Sequence, residues 1–176
     1  QLDDFEHADL ILVIGQNPAT NHPRMMGALH DAARRGAKVV AINPLRERGF
    51  TNFSDPKAVG EMLTGRGMAV AHRIVQVRIG GDLALFKGVM KALLERDAQA
   101  RASGAPRLID EAFIAEHTTG FDALAADLAA EPWDLLVAES GVRREEMTEL
   151  AQLYAQAPAT MATWCMGLTH HEHSVA

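Results

Sequence analysis

The residues best placed to do chemistry follow a short apolar run near the start of the sequence. Leu10–Ile14 stops at Gly15, and Gln16, Asn17 and Pro18 come next. An apolar strand that ends in glycine and turns into a helix is how a doubly wound α/β domain builds a nucleotide site. Loop N–H groups and the helix N-terminus then attract phosphate. The fingerprint G-x-G-x-x-G of ordinary NAD loops is missing, and a plain strand-to-helix turn is the alternative.

A second candidate is Gly80-Gly81-Asp82, which follows the alternating segment Ile74–Ile79. Asp82 is predicted to cap a helix, because its carboxylate can accept hydrogen bonds from N–H groups of the first turn. The two glycines form either a simple turn or a close backbone approach to a ring. Since a carboxylate has several acceptor sites, Asp82 can combine capping with ligand binding.

A histidine cluster near the end of the sequence raises the question of a metal site. It contains His170, His171 and His173 beside Glu172. The spacing does not match the zinc signature H-E-x-x-H, and in an extended segment His171 and His173 share a face that His170 does not. Cys165 is predicted to be a buried, inert thiol. We therefore predict no metal ligand and no catalytic residue in this chain.

These residues require a scaffold of alternating strands and helices. The predicted strands are Ala8–Gly15, Lys38–Ile42, Ile74–Ile79 and Thr160–Met166, and the predicted helices are His22–Arg35, Asp82–Glu95, Asp110–His117, Phe121–Ala130, Pro132–Glu139 and Arg143–Ala157. Residues 44–73 form a long connection with one short helix near Lys57–Leu63. This order predicts a single Rossmann-like α/β domain over residues 1–176, with a doubly wound, mainly parallel sheet and helices on both faces.

Composition narrows the function classes. The chain has 176 residues, a formal net charge of −6 and no basic stripe, which argues against a nucleic-acid surface. No segment approaches the ~20 apolar residues that a membrane span needs. The single cysteine excludes a disulfide framework and an all-cysteine metal site within the chain. We interpret the sequence as part of a longer protein, since it starts at Gln1 and stops just after an apolar segment.

Five segments together resemble a known family. In chain order they are ADLILVIGQNPATNHP, GAKVVAINPLR, VQVRIGGDLAL, FIAEHTTGFDAL and MATWCMGLTHH. They resemble the cofactor-binding α/β domain of molybdopterin oxidoreductases of the dimethyl sulfoxide reductase type, particularly the formate dehydrogenase-like catalytic subunits. Each segment alone is weakly specific, but their order and spacing cover nearly the whole chain.

The resemblance implies that the chain holds one guanosine arm of a bis(molybdopterin guanine dinucleotide) cofactor, with molybdenum or tungsten. The loop against the phosphates and ribose would contain Gly15, Asn17 and Pro18. The loop against the sugar and guanine would contain Asn43, Pro44 and Arg46.

The resemblance also implies contacts farther along the chain. Asp82, beside Gly80 and Gly81, would accept hydrogen bonds from guanine N1–H and the 2-amino group. The residues that approach the pterin would be Gly167, Thr169 and His170.

Two departures from the family pattern affect these contacts. Many relatives carry Asp-Pro-Arg where this chain has Asn43-Pro44-Leu45-Arg46, and Thr-Gln where it has Thr169-His170. The metal ligand and the iron–sulfur cysteines lie outside this chain, so it is not catalytic alone. The implied partners are the remaining domains of the subunit, a small-molecule substrate and an electron-transfer partner. We expect no nucleic-acid or membrane partner, and we expect the protein to be cytoplasmic.

Two other functions stay open at this stage. The central domain of a thiamine diphosphate enzyme shows similar first strands, but it would carry an acidic residue after the second strand and lack Gly80-Gly81-Asp82. A non-catalytic α/β interaction module is the third hypothesis. It differs from the cofactor-binding hypothesis in one respect: a cofactor site requires residues 15–18, 43–46 and 80–82 to form one pocket, and an interaction module does not.

Overall fold

The chain folds into two compact units. The computed structural model describes residues 2–55, 59–60 and 67–171. The first unit comprises residues 1–76 and 157–176, and the second comprises residues 77–156. All strands of the described residues belong to the first unit, whereas the second unit is helical. The class is therefore α/β, as the sequence predicts.

The first unit is built on a parallel sheet. Its strands are β1 (Leu10–Ile14), β2 (Lys38–Ile42), β3 (Arg73–Val75) and β4 (Thr160–Trp164), and their order is β3-β2-β1-β4. All three pairings are parallel, which confirms the predicted sheet. β1 is buried at every position, as expected of an apolar central strand. Because β2 and β4 lie on opposite sides of β1, the strand order reverses beside β1. Open α/β sheets bind ligands at this switch point.

Short helices and one long helix complete the first unit. They are a 3-10 helix (Leu2–His7), α1 (Pro18–Asn21), α2 (Pro23–Arg35), α3 (Arg48–Thr51) and, after β4, α9 (Met166–Thr169). α2 buries Met26 and Leu29 completely, and each such side chain contributes about 1.5–3 kcal/mol of hydrophobic stabilisation. Gly36 ends α2 with a φ of 108°, as its position in the sequence predicts. The core on this side of the sheet also contains Phe5, Ile11, Val13, Val39, Ala41, Phe50 and Val70.

The second unit surrounds one long helix. Its helices are α4 (Asp82–Ser103), α5 (Glu111–His117), α6 (Phe121–Ala130), α7 (Trp133–Ser140) and α8 (Arg144–Gln156). α4 packs against α6, α7 and α8. Gly88 lets α8 approach closely, since a side chain there would collide with Met147. The Lys91 ammonium donates to the carbonyls of Leu128 and Ala129 at 2.8 and 3.0 Å, which satisfies the end of α6.

The structure corrects the predicted elements between residues 74 and 109. The strand predicted over Ile74–Ile79 is only Arg73–Val75, because the Arg78 N–H donates to the Ser140 carbonyl at 2.7 Å and the chain then turns. The N-cap of α4 is Gly81 rather than Asp82. α4 continues to Ser103 instead of stopping at Glu95, because neither glycine nor proline occurs between Glu95 and Gly104. The short helix predicted near residues 57–63 falls mostly outside the described residues.

Candidate functional site

The candidate site lies where β1, β2 and β4 end. The Gly15 N–H donates to the carbonyl of Ile42, the last residue of β2, at 2.9 Å, and Nδ2 of Asn43 after β2 donates to the Gln16 carbonyl after β1 at 2.8 Å. The Gly15 carbonyl accepts the Gly167 N–H at 3.2 Å, and the Cys165 N–H donates to the Ile14 carbonyl at 3.3 Å. The loop after β1 is thus hydrogen-bonded on one side to the residue that follows β2 and on the other side to the segment that follows β4, at the switch point.

Close packing requires the two glycines of this edge. Gly15 has a φ of 61°, which favours glycine. A Cβ on Gly15 would lie 2.9 Å from the Gly167 Cα, and one on Gly167 would lie 2.6 Å from the Gly15 carbonyl oxygen. The glycines therefore let the loops after β1 and β4 touch. This explanation holds with or without a ligand, and the sequence does not reveal that Gly15 and Gly167 are partners.

Asn43 holds the loop after β1 in place through a side-chain hydrogen bond. Its side chain is buried, and Nδ2 donates to the Gln16 carbonyl at 2.8 Å while the Asn43 N–H donates to the Val75 carbonyl at 3.0 Å. An ionised aspartate could not make the first of these bonds, because a carboxylate only accepts. The asparagine in the Asn43-Pro44 step, where many relatives carry aspartate, thus has a structural reason.

A carboxylate that the sequence argument overlooked lies at this edge. Glu47 follows Arg46, and its Oε2 accepts a hydrogen bond from Nδ2 of Asn17 at 2.7 Å. Oδ1 of Asn17 in turn accepts the Thr20 N–H at 3.3 Å. Pro44 and Arg46 are exposed on the same connection. The available signal was an acidic residue a few positions after β2, beside a predicted site residue.

The helix that follows the first loop differs from the prediction. Pro18 begins α1, which is a single turn, and the long helix α2 starts only at Pro23. A single turn has a small dipole, so the helix contributes less to phosphate attraction than the sequence suggested. Gln16 is buried and donates from Nε2 to the Thr163 hydroxyl at 2.6 Å, which holds the loop against β4.

The segment after β4 places the third group of predicted residues. Gly167, Thr169 and His170 are exposed within or just after α9, and the His170 N–H donates to the Met166 carbonyl at 3.1 Å. Cys165 is half-buried rather than buried. The remainder of the histidine cluster, Glu172 and His173, lies outside the described residues.

The remaining predicted residues belong to the second unit. Gly80 has a φ of 83° with open space around it, whereas a Cβ on Gly81 would lie 2.7 Å from the Glu139 carbonyl oxygen. Asp82 is the first residue of α4 and is only 5% exposed. The first unit thus brings together Gly15, Asn17, Pro18, Asn43, Pro44, Arg46, Gly167, Thr169 and His170 along one edge, and the second unit holds Gly80, Gly81 and Asp82.

Comparison with known proteins agrees with this architecture. Residues 1–176 match the sequence model of the molybdopterin oxidoreductase family. The chain belongs to this family. It is 48% identical over 172 residues to Protein YdeP of Escherichia coli (strain K12), covering 98% of this chain and 23% of that protein. It is 40% identical over 175 residues to the uncharacterized oxidoreductase Rv2900c of Mycobacterium tuberculosis (strain H37Rv), covering 99% of this chain and 22% of that protein. The thiamine diphosphate alternative is therefore wrong.

More distant similarities extend the same picture. Formate dehydrogenase H of Escherichia coli is 25% identical over 174 residues, which cover 99% of this chain and 20% of that protein. Acetylene hydratase from Pelobacter acetylenicus has the same fold, with a TM-score of 0.72 at 22% identity over 97% of this chain and 20% of that chain. This molybdopterin oxidoreductase chain spans about a quarter or less of the length of the relatives that it matches. None of its helices, among the described residues, is long and apolar enough to cross a membrane.

Proposed function

We propose that this chain holds one guanosine arm of a bis(molybdopterin guanine dinucleotide) cofactor in a molybdenum- or tungsten-dependent oxidoreductase. The observation that carries the proposal is the loop after β1, which is hydrogen-bonded both to Asn43 after β2 and to Gly167 after β4 at the switch point of a parallel sheet. Membership of the molybdopterin oxidoreductase family supports the same cofactor class.

The polar groups at this edge fit a guanosine arm. The Glu47 carboxylate and the Asn17 amide lie 2.7 Å apart and offer acceptors and donors to ribose hydroxyls. We assign the ribose to this pair. In this assignment Glu47 supplies the negative charge that the aspartate of the family's Asp-Pro-Arg pattern supplies and that Asn43 does not. Arg46, exposed beside Glu47, is the candidate partner for phosphate.

In the second unit we assign the guanine contact to Asp82. Its carboxylate can accept from guanine N1–H and the 2-amino group, and Asp82 is the first residue of α4. Gly167, Thr169 and His170 are the proposed pterin-side residues. The exposed backbone of Gly167 supports a close approach there.

The whole protein would carry out two-electron chemistry on a small molecule, and formate is our proposed substrate. The cofactor supplies the redox chemistry, while this chain binds and orients it. The remaining domains would supply the metal ligand and any iron–sulfur cluster, and an electron-transfer partner would accept the electrons. The 25% identity to formate dehydrogenase H supports this class of reaction at a distance.

Cofactor analysis of the purified full-length protein tests the proposal. We expect about two equivalents of GMP, released by hydrolysis, per molybdenum or tungsten. Glu47→Gln, Asn17→Ala and Asp82→Ala should each lower the GMP and metal content at least several-fold. Glu116→Gln, which removes an exposed carboxylate on α5, is the matched control and should leave both unchanged. A wild-type protein without GMP or pterin, from cells that load another molybdenum enzyme, would contradict the proposal.

A further inference from the structure

A second group of polar side chains lies between α2 and the segment after α3, and it includes none of the residues assigned to the cofactor. His30 and Asp31 belong to α2, and Asp55 follows α3. One ligand atom from each of these three residues lies within 4.8 Å of the other two. The His30 side chain is fully buried, and the Asp55 side chain is only 14% exposed. Histidine nitrogen and carboxylate oxygen are ligands that a zinc ion accepts, and this spacing allows one ion to contact all three side chains.

The distances are longer than direct hydrogen bonds and leave room for an ion between the three side chains. Nδ1 of His30 lies 3.6 Å from Oδ1 of Asp31 and 4.0 Å from Oδ2 of Asp55. Hydrogen bonds of this kind are about 2.7–3.2 Å long. Ligand atoms about 2.1 Å from a tetrahedral zinc ion are separated by about 3.4 Å, which is close to the first distance. The second distance, 4.0 Å, would have to shorten by about 0.6 Å through a movement of Asp55.

The orientation of Asp31 adds to the geometric argument. Consecutive residues of an α-helix point about 100° apart, so neighbouring side chains do not normally face each other. The Asp31 carboxylate nevertheless lies 3.6 Å from the His30 ring nitrogen, although the Asp31 side chain is 71% exposed and has solvent available. Its carboxylate is therefore placed at the edge of the buried imidazole.

A cavity beside these three residues makes the two carboxylates accessible to a cation. Asp31 and Asp55 line a cavity of about 590 Å³, which Asp3 and Glu6 also line. Among the described residues, Arg24 and Arg35 bring two positive charges to its wall, against four carboxylates. One of these cations is already engaged, because the Arg35 guanidinium donates to the carbonyls of Phe5 and Ala8 at 3.1 and 2.7 Å. The described part of the cavity wall is therefore acidic on balance, which favours a small cation.

We propose that His30, Asp31 and Asp55 bind one Zn²⁺ ion, with Nδ1 of His30 and one oxygen from each carboxylate as ligands and water in the fourth position. The mixed nitrogen and oxygen set suits zinc better than calcium or magnesium, which prefer oxygen alone. The ion would fasten the segment before residue 55 to α2. The Phe53 ring already packs edge-on against His30, with 5.6 Å between ring centroids, so this segment is seated beside the proposed site.

Zinc analysis of the full-length protein tests this site separately from the cofactor. The protein is purified without a metal-affinity tag, equilibrated with ZnCl₂ and dialysed against metal-free buffer. Elemental mass spectrometry then gives zinc, iron, molybdenum and tungsten per chain. We expect wild-type protein to retain one more zinc than His30→Gln, and zinc to raise the midpoint of thermal unfolding only in wild type. Since zinc is counted apart from molybdenum and tungsten, the cofactor assignment and the zinc site can fail independently.

Two further variants keep the test decisive if His30→Gln does not fold. Asp31→Asn changes an exposed side chain and Asp55→Asn a ligand outside the helix, and each should weaken zinc binding at least tenfold. Asp3→Asn removes a carboxylate from the same cavity without touching the ligand set, and it should bind zinc like wild type. Equal zinc in wild type and in the Asp31 and Asp55 variants, or no zinc retained by wild type, would overturn the proposal.

Discussion

Two carboxylates, one in each unit, differ in how they are bonded. Asp97 on α4 is 7% exposed and accepts hydrogen bonds from the Arg107 guanidinium and from the N–H groups of Leu108 and Ile109 at 2.8 and 3.2 Å. The Arg107 hydrogen bonds lower the pKa of Asp97 from 3.8 to about 2. Glu47, at the edge of the sheet, accepts from the Asn17 amide at 2.7 Å.

The difference in hydrogen bonding between Asp97 and Glu47 distinguishes a polar group that supports the fold from one that is available to a ligand. Asp97 closes the turn after α4, and both of its oxygens accept hydrogen bonds from the protein. Glu47 is half-exposed. Among the described residues, the Asn17 amide is the one group that donates a hydrogen bond to its carboxylate. Polar groups that are satisfied within the protein stabilise the fold, whereas partly satisfied groups at a sheet edge can bind ligands.

The largest expected effect comes from the contact between the two glycines of the edge. Gly15→Ala combines a φ of 61° with a Cβ 2.9 Å from the Gly167 Cα, so we expect it to lower the free energy of unfolding by about 3–5 kcal/mol. Gly104→Ala, in the second unit, has a φ of 72° and open space around it, and it should cost only about 1 kcal/mol. Urea denaturation of both variants measures the difference. Equal losses would show that the contact between the loops does not matter.

A somewhat smaller effect is expected beneath the first loop. Asn43→Asp replaces a buried amide donor with a carboxylate that faces the Gln16 carbonyl at 2.8 Å, so it should destabilise the protein by about 2–3 kcal/mol at neutral pH. Asn43→Ala, which removes the donor without adding charge, is the control and should be less harmful. Denaturation curves at pH 7 test the order of the two variants, and the reverse order would contradict the bonding described for Asn43.

Acid should weaken the second unit through Asp97. Because its folded-state pKa of about 2 lies below the ordinary value of 3.8, this carboxylate stabilises the protein fully above about pH 4, and the contribution is lost as pH falls toward 2. We expect a loss of about 1–2 kcal/mol over this range. Asp97→Asn should be less stable at pH 7 and lack this component of the pH dependence. An unchanged slope in the variant, measured by thermal unfolding between pH 2 and 5, would contradict the assignment.

The smallest effect is expected at an exposed helix cap. Oδ1 of Asp110 accepts the Phe113 N–H at 2.9 Å and caps α5, so Asp110→Ala should cost about 1 kcal/mol. Because Asp110 is not one of the residues assigned to the cofactor, the cofactor content of the full-length protein should not change. A large loss of cofactor from Asp110→Ala would show that stability alone governs loading.

The sequence predicts the scaffold of this protein better than its side-chain partners. The apolar runs of β1 and β2 and the terminating Gly36 are local signals, and both strands and the end of α2 are found where they predict. The contact between Gly15 and Gly167 and the bond between Asn17 and Glu47 depend on pairing across long sequence separations, which no local pattern encodes. The same reason explains why the approach of Asp55 to His30 was not foreseen.

The loops after β1, β2 and β4 are the centre of the functional account, and hydrogen exchange tests them most directly. Amide exchange would be measured by mass spectrometry on the full-length protein with its cofactor and on protein purified from cells that cannot make the pterin. The account predicts slower exchange with cofactor in residues 15–22, 43–47 and 167–171, and no change in residues 105–117 of the second unit. Unchanged exchange in all three loops, in a protein that does carry the cofactor, would contradict it.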